Sequence, residues 1–280
     1  MSQPASHPAA SDDVLDLAAY LHRIGYAGET AATLATLAAL IDRHVRSIPF
    51  ENLDVLLGRG VRLDLAAVQA KLVGARRGGY CFEHCTLMEA VLRRLGYDVV
   101  AHTARVTMVS GRAAAPRTHM ILVVTLPEGR YVADPGLGGL APRMPLPLVD
   151  QGDDPPGRPA AWLRREPPYW VMRARRGDAP TECWITTLDA DRPIDFEVGN
   201  HYTATHPASA FRHHLMMRAH VDGGRLTIMN DEMTRWDGET PGTPRTIADR
   251  AELRALVAEM LGVDLPEVAT LRVPAVPRWA

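Results

Sequence analysis

No apolar run in this 280-residue sequence is long enough to cross a bilayer; the longest is "MILVV", Met120 to Val124. Charge of one sign is also missing. With 31 basic and 33 acidic residues the net charge is -2, so no chain-wide field draws in nucleic acid or an anionic membrane. The opening "MSQPASHPAASDD" has neither a basic n-region nor an apolar h-region, and reads as no signal peptide. Cysteine is scarce: 3 residues, an odd number, make no disulfide framework. Internal repeats, heptads and low-complexity blocks are absent. What remains is a soluble chain expected in a reducing, cytoplasmic setting, with 46% hydrophobic residues to build a core.

The first third reads as helical. In "DDVLDLAAYLHRIG", Val14, Leu17, Ala18, Leu21 and Ile24 recur at helical spacing, with Asp12 or Asp13 as the cap and Gly25 as the stop. Leu34, Leu37, Ile41, Val45 and Ile48 repeat the pattern up to Pro49. A third helix is expected from about Cys81 to Leu95, its apolar face made by Leu87, Met88, Val91, Leu92 and Leu95. The character then changes to β-branched runs separated by turn residues: "YDVVAHTARVTMV", "THMILVVTL" and "RYVADPGL". Thr118 to Leu126 and Gly129 to Asp134 look like a hairpin around "PEG". Residues 141 to 168, rich in proline, read as an extended surface connection. "YWVMRA", "TECWITTL", "LMMRAHV" and "RLTIMN" resume the strands, and "ADRAELRALVAEMLG" is a last helix. The fold class is α+β.

The stretch "ARRGGYCFEHC" concentrates the chemistry. Gly78 and Gly79 allow a tight turn just before a helix starts, and Cys81 falls in its first turn. Unpaired N–H groups and the helix dipole there favour a thiolate, and Arg76 and Arg77 add positive charge. Equally, a free cysteine is among the most buried residue types, so Cys81 alone leaves core thiol and nucleophile both open. Partners separate the two readings. A thiol nucleophile needs a base, usually histidine, and the base needs an orienting carboxylate. His119 opens a strand-like run and Asp134 closes the next; pairing across "PEG" would bring them to one end of a hairpin. Cys81, His84 and Cys85 also form C-x-x-H-C. On a helix, however, His84 is only partly aligned with the thiols, and no second Cys/His pair stands at finger spacing, which speaks against zinc. Cys85 is expected on the apolar face beneath the nucleophile, and Cys183 in a strand core.

These residues resemble the arylamine N-acetyltransferases. "RRGGYCFEHC" is similar to their nucleophile signature and "IPFENLDVLLGRGVRLDL" to the stretch before it. "RTHMILVV" and "ADPGLGG" match the histidine and aspartate motifs in order, and "DFEVGNHYTATHPASAF" resembles the later Asn-x-Tyr region. The resemblance implies a three-part fold with a cysteine-proteinase-like Cys-His-Asp core. Residues 1–96 would form a helical bundle carrying the cysteine, 97–200 an antiparallel β-barrel-like domain carrying the histidine and aspartate, and 201–280 an α/β lid. It also implies ping-pong chemistry. Cys81, paired with His119 and oriented by Asp134, takes an acetyl group from acetyl-CoA and passes it to an arylamine, arylhydrazine or arylhydroxylamine. Acetyl-CoA is then the acyl-donor substrate, which accounts for the lack of a P-loop or GxGxxG. Backbone N–H groups at the Cys81 helix start would form the oxyanion hole. The partners implied are the acyl-CoA and a small amine, with no metal, nucleic acid or membrane.

Carried over by position, Phe50, Val106, Thr118, Leu137, Gly138 and Phe211 would line the acyl and acceptor pocket. Arg76, Arg77 and Glu83 are read either as support for the site or as solvated charges. The chain departs from the family pattern of Asp-Val-Gly-Phe-Gly, having Asp134-Pro135-Gly136-Leu137-Gly138 instead. Pro135 fixes φ and removes a donor, with the expectation of a shifted Asp134 loop. Leu137 replaces a ring that would stack on a flat amine. Those departures motivate the alternative of an amide synthase using a larger acyl donor. The Cys-His-Asp order alone would also suit a thiol hydrolase, and a non-catalytic descendant that binds CoA or a partner is the third alternative.

Overall fold

The computed structural model describes residues 14–176, 179–238 and 240–280. Helical spacing of apolar residues becomes helix where a cap begins it and a breaker ends it. The first helix is Leu17–Arg23, capped by the Asp16 side chain, which accepts from Ala19 N–H. Asp12 and Asp13, expected as caps, lie outside the described residues. Thr33 caps Leu34–Ser47 in the same way, and the helix stops before Pro49. Cys81–Arg94 follows, burying Leu87, Met88, Val91 and Leu92, with Gly96 just beyond it in the left-handed region (φ 85).

The strands form two antiparallel sheets. In the seven-stranded one, Asp98–Val106 pairs with His119–Leu126, which pairs with Gly129–Ala133, giving the expected hairpin. Its far side is built from Ala179–Thr186, Tyr169–Arg176 and Ala161–Glu166. The outer strands Leu146–Pro147 and Ala161–Glu166 approach each other, so the sheet curls towards a barrel. The segment 141–168 is therefore not merely a surface connection: two of its stretches are the sheet's edges. Proline is tolerated there because an edge strand leaves one row of N–H groups unused.

A second correction concerns "TMV". The strand expected to run through it ends at Val106, and Thr107–Ala114 is helical, kinked at Gly111 (φ 68). β-Branched residues favour a strand only beside a partner, and Ala104 is the last residue opposite His119–Leu126. Among the elements that carried no expectation are the helix Pro193–Thr205, the strand Glu232–Asp237 and the short helices Leu53–Leu56 and Leu65–Gln69.

The other sheet joins Met216–Val221, Gly224–Met229 and Glu232–Asp237 and packs one face on the last helix, Arg250–Leu261. Phe50–Glu51 is its edge, with Phe50 opposite Arg218. On its other side the same strand takes the Gly79 carbonyl on Glu51 N–H (2.8 Å) and gives the Pro49 carbonyl to Gly79 N–H (3.1 Å). "IPFENLD" thus ties the turn before Cys81 to the C-terminal sheet. One buried cluster runs from Leu15 to Trp184 and a second from Leu53 to Trp279. Among the described residues, no helix is long and apolar enough to cross a membrane.

Candidate active site

Cys81 is the first residue of its helix and is 3% exposed. Its turn is shaped by close approach rather than by glycine's access to positive φ. A Cβ on Gly78 would sit 2.2 Å from the Pro49 carbonyl oxygen, while the left-handed residue here is Arg76 (φ 53). The Glu83 carboxylate caps the helix by accepting from Tyr80 N–H at 3.0 Å. It also binds Lys71 Nζ (2.7 Å), and Lys71, the only lysine in the sequence, reaches Asp54 (2.8 Å). Arg77 closes the chain of charges on Asp54 (3.1 Å) and on Glu51 (2.7 Å). Arg77 and Glu83 are buried, whereas Arg76 is exposed, so the charges expected to act together divide. Burial pushes the Glu83 carboxyl up to about 7 despite Lys71 beside it.

The hairpin places the other two members. Asp134 follows Ala133, which pairs with Leu122, so His119 stands nearly across from it. His119 Nε2 lies 3.1 and 3.0 Å from the two carboxylate oxygens. Its other ring nitrogen is thereby left clear of the carboxylate, and Cys81 is among the groups that raise the His119 pKa. Burial alone would lower the imidazole pKa, but the Asp134 charge and hydrogen bond, with Cys81, raise it to about 10. Asp134 also accepts from Trp184 Nε1 at 2.8 Å. Trp184 was read only as part of a strand. Nothing local marks an indole as a carboxylate donor, because the two residues meet across the sheet.

With Pro135 next in the chain, Asp134 is bound to His119. The next residue shows why the loop lies where it does. A Cβ on Gly136 would fall 2.5 Å from Cys81 Cα and 3.1 Å from its carbonyl oxygen. Gly136→Ala should therefore displace the nucleophile, lowering turnover about 100-fold, a typical cost of a misplacement near 1 Å. Steady-state assays with circular dichroism check this; a folded variant at parental activity would show the contact to be slack.

Of the pocket positions, Phe50, Gly138 and Phe211 come together. The rings of Phe50 and Phe211 meet edge to face at 6.4 Å, and the Phe50 ring lies over Gly138. The Thr118 carbonyl is 3.7 Å from Cys81 Sγ. Val106 ends its strand opposite Trp184, and Leu137 is buried in the larger core. Two asparagines were missed. Asn52 Nδ2 donates to the carbonyls of Phe211 (2.9 Å) and His214 (2.7 Å). Asn200 accepts from the Tyr80 hydroxyl and donates to the Val61 carbonyl (2.9 Å). Both stand inside motifs already singled out, "PFEN" and "GNHY", but their partners are remote in sequence. Cys85 and Cys183 are buried, as expected; Cys85 donates to the Met120 carbonyl (3.1 Å), and burial pushes its thiol pKa up.

A thiol at a helix start, a carboxylate-bound imidazole and a pair of edge-to-face aromatic rings are thus set on neighbouring elements. A family profile described as N-acetyltransferase matches residues 33–270. The chain is 37% identical over 249 residues to the arylamine N-acetyltransferase of Escherichia coli (strain K12), covering 89% of each. Among solved structures it is similar to the Nocardia farcinica arylamine N-acetyltransferase, with a TM-score of 0.86, 35% identity and coverage of 98% and 99%. It also resembles the Mycobacterium marinum arylamine N-acetyltransferase in complex with CoA, with a TM-score of 0.83 and 32% identity, covering 90% of this chain and 94% of that one. The chain belongs to the arylamine N-acetyltransferase family.

Proposed function

We propose that the protein moves an acetyl group from acetyl-CoA to the nitrogen of an arylamine or arylhydrazine through a thioester on Cys81. The observation that carries this reading is His119, bound at 3.0 Å to a buried Asp134, with its pKa raised to about 10 by Asp134 and Cys81 against the burial that lowers it. An imidazolium beside the thiol supplies the positive charge that a thiolate nucleophile needs. In the first half-reaction the Cys81 thiolate attacks the thioester carbonyl. The bond to the CoA sulfur then breaks, and the departing thiolate takes the proton from His119. In the second, the amine nitrogen attacks the acetyl-cysteine, the carbon–sulfur bond breaks, and His119 accepts the proton that the nitrogen gives up. The ion pair is thereby restored. N–H groups of the first helical turn would hold the oxyanion in both steps.

The flat acceptor suits the edge-to-face rings of Phe50 and Phe211, joined by Tyr80 at 5.5 Å from Phe211. Three buried cysteines accord with a reducing, cytoplasmic setting. Intact-mass measurement after mixing with acetyl-CoA tests the proposal: the parent gains one acetyl group and Cys81→Ala gains none. Acetylated Cys81→Ala protein would refute Cys81 as the carrier.

A further inference from the structure

Beneath the turn that presents Cys81 lies a chain of buried side chains that the steps above leave unused. The Tyr20 hydroxyl is 3.0 Å from His44 Nδ1, and His44 Nε2 is 2.8 Å from His84 Nδ1. His84 Nε2 ends the chain at 3.1 Å from the Gly79 carbonyl oxygen and 3.2 Å from that of Pro49. All three side chains are closed off from solvent.

Chemistry at the far end fixes the direction of every bond. Carbonyl oxygens only accept, so His84 Nε2 carries the hydrogen. A neutral ring then has a bare Nδ1, which accepts from His44 Nε2–H. By the same logic His44 Nδ1 accepts from the Tyr20 hydroxyl. Every ring nitrogen is satisfied with both imidazoles uncharged. The surroundings enforce that state. Burial holds both pKa values down, that of His84 at about 4 in spite of its bonds to the Gly79 and Pro49 carbonyls; the charges of Lys71 and Arg218 add to the effect on His84, and those of His84 and Arg23 to that on His44. A proton on His84 Nδ1 would set one N–H against another.

The two carbonyls are the ones that seat the nucleophile's turn. That of Gly79 also accepts from Glu51 N–H, and that of Pro49 from Gly79 N–H. His84 itself belongs to the helix that Cys81 begins. We propose that His84 is a positioning residue for acyl transfer: held by His44 and Tyr20, it clasps the Gly79 and Pro49 carbonyls and so fixes the turn that presents Cys81. The proposal rests on the reading of Cys81 as the acyl carrier.

The test compares His84→Leu, which removes the clasp, with His84→Gln, whose amide can accept from His44 and donate to the carbonyls. Both carbonyls keep a backbone N–H partner in either variant, which favours folding. Single-turnover acetylation of Cys81 by acetyl-CoA, read by mass, should slow about tenfold or more in His84→Leu, with KM for the amine within about twofold, because only the nucleophile is misplaced. His84→Gln should recover most of the rate. Nitrogen-15 NMR of the histidines in the unmodified protein should show two neutral rings protonated at Nε2 at pH 7, and this arm stands whether or not His84→Leu folds. A folded His84→Leu protein acetylated at the parental rate, a His84→Gln no faster than His84→Leu, or a charged or Nδ1-protonated ring at His44 or His84 overturns the proposal. Failure of the underlying reading looks different, since Cys81→Ala would then still be acetylated.

Discussion

Asp134→Asn is expected to lower acetyl transfer by about 10³- to 10⁴-fold while the protein stays folded. The Asp134 carboxylate is buried and takes hydrogen bonds from two donors, His119 Nε2 and Trp184 Nε1. An asparagine of the same shape has one accepting oxygen and an NH₂ group, so His119 Nε2, which faces both oxygens, meets an N–H whichever way the amide points. The imidazole escapes that clash by moving its hydrogen to the nitrogen that faces Cys81, which leaves no base for the thiol proton. Charge works in the same direction. His119 owes its raised pKa to Asp134 before any other favourable influence, and without that charge only Cys81 is left to oppose the burial that pulls it down.

The sign of the pH effect follows. A folded-state pKa of about 10 lies above the free-imidazole value, so the folded protein keeps the His119 proton through neutrality. The stabilisation it brings is complete below about pH 6.5 and is lost as pH rises through the folded pKa. Alkylation of Cys81 by iodoacetamide should therefore be slower in Asp134→Asn than in the parent between about pH 7 and 9, where the parent's His119 stays charged. A variant alkylated at the parental rate would remove Asp134 from the chemistry.

What the sequence disclosed, and what it hid, follows the range of the interactions. Cys81 at a helix start was legible because capping and apolar periodicity act within a few residues, and both are written between Gly78 and Leu95. The placement of His119 near Asp134 was legible for a related reason: a short turn fixes the register of the hairpin, and the register fixes which side chains meet. Trp184 was opaque, since its bond to Asp134 depends on the order of strands in the sheet. His84 was misleading. Beside Cys81 and Cys85 it suggested a ligand pattern, yet its partner His44 lies 40 residues away. The edge strands within 141–168 were masked by prolines, whose local preference says loop while the sheet edge accommodates them. Burial of charge was the least visible property of all, because Arg77 looks the same in sequence whether it meets water or Glu51.

That buried charge carries the largest expected effect on stability. Arg77→Met should cost about 3 to 5 kcal/mol of unfolding free energy, the range for removing one partner of a buried pair. Arg77 donates through Nε (3.1 Å) and an Nη (2.7 Å) to one oxygen of Glu51, whose side chain has no exposed surface. With the guanidinium gone, Glu51 keeps Leu53 N–H at 2.7 Å and the field of Lys71, so the lower half of the range is favoured. The damage should reach the site, because the Glu51 backbone holds the Gly79 carbonyl and Arg77 itself leads into the Cys81 turn. Arg77→Lys should recover little, since an ammonium cannot span Glu51 and Asp54 as the planar fork does. Urea unfolding of Arg77→Met, Glu51→Gln and the double variant separates pairing from packing. If the pair is what matters, the double variant loses less than the sum of the single losses, because neither charge is left stranded. Simple addition of the two losses, or an Arg77→Met protein within about 0.5 kcal/mol of the parent, would mean that the turn before Cys81 is held by the backbone bonds to Pro49 and Glu51 without help from the charges.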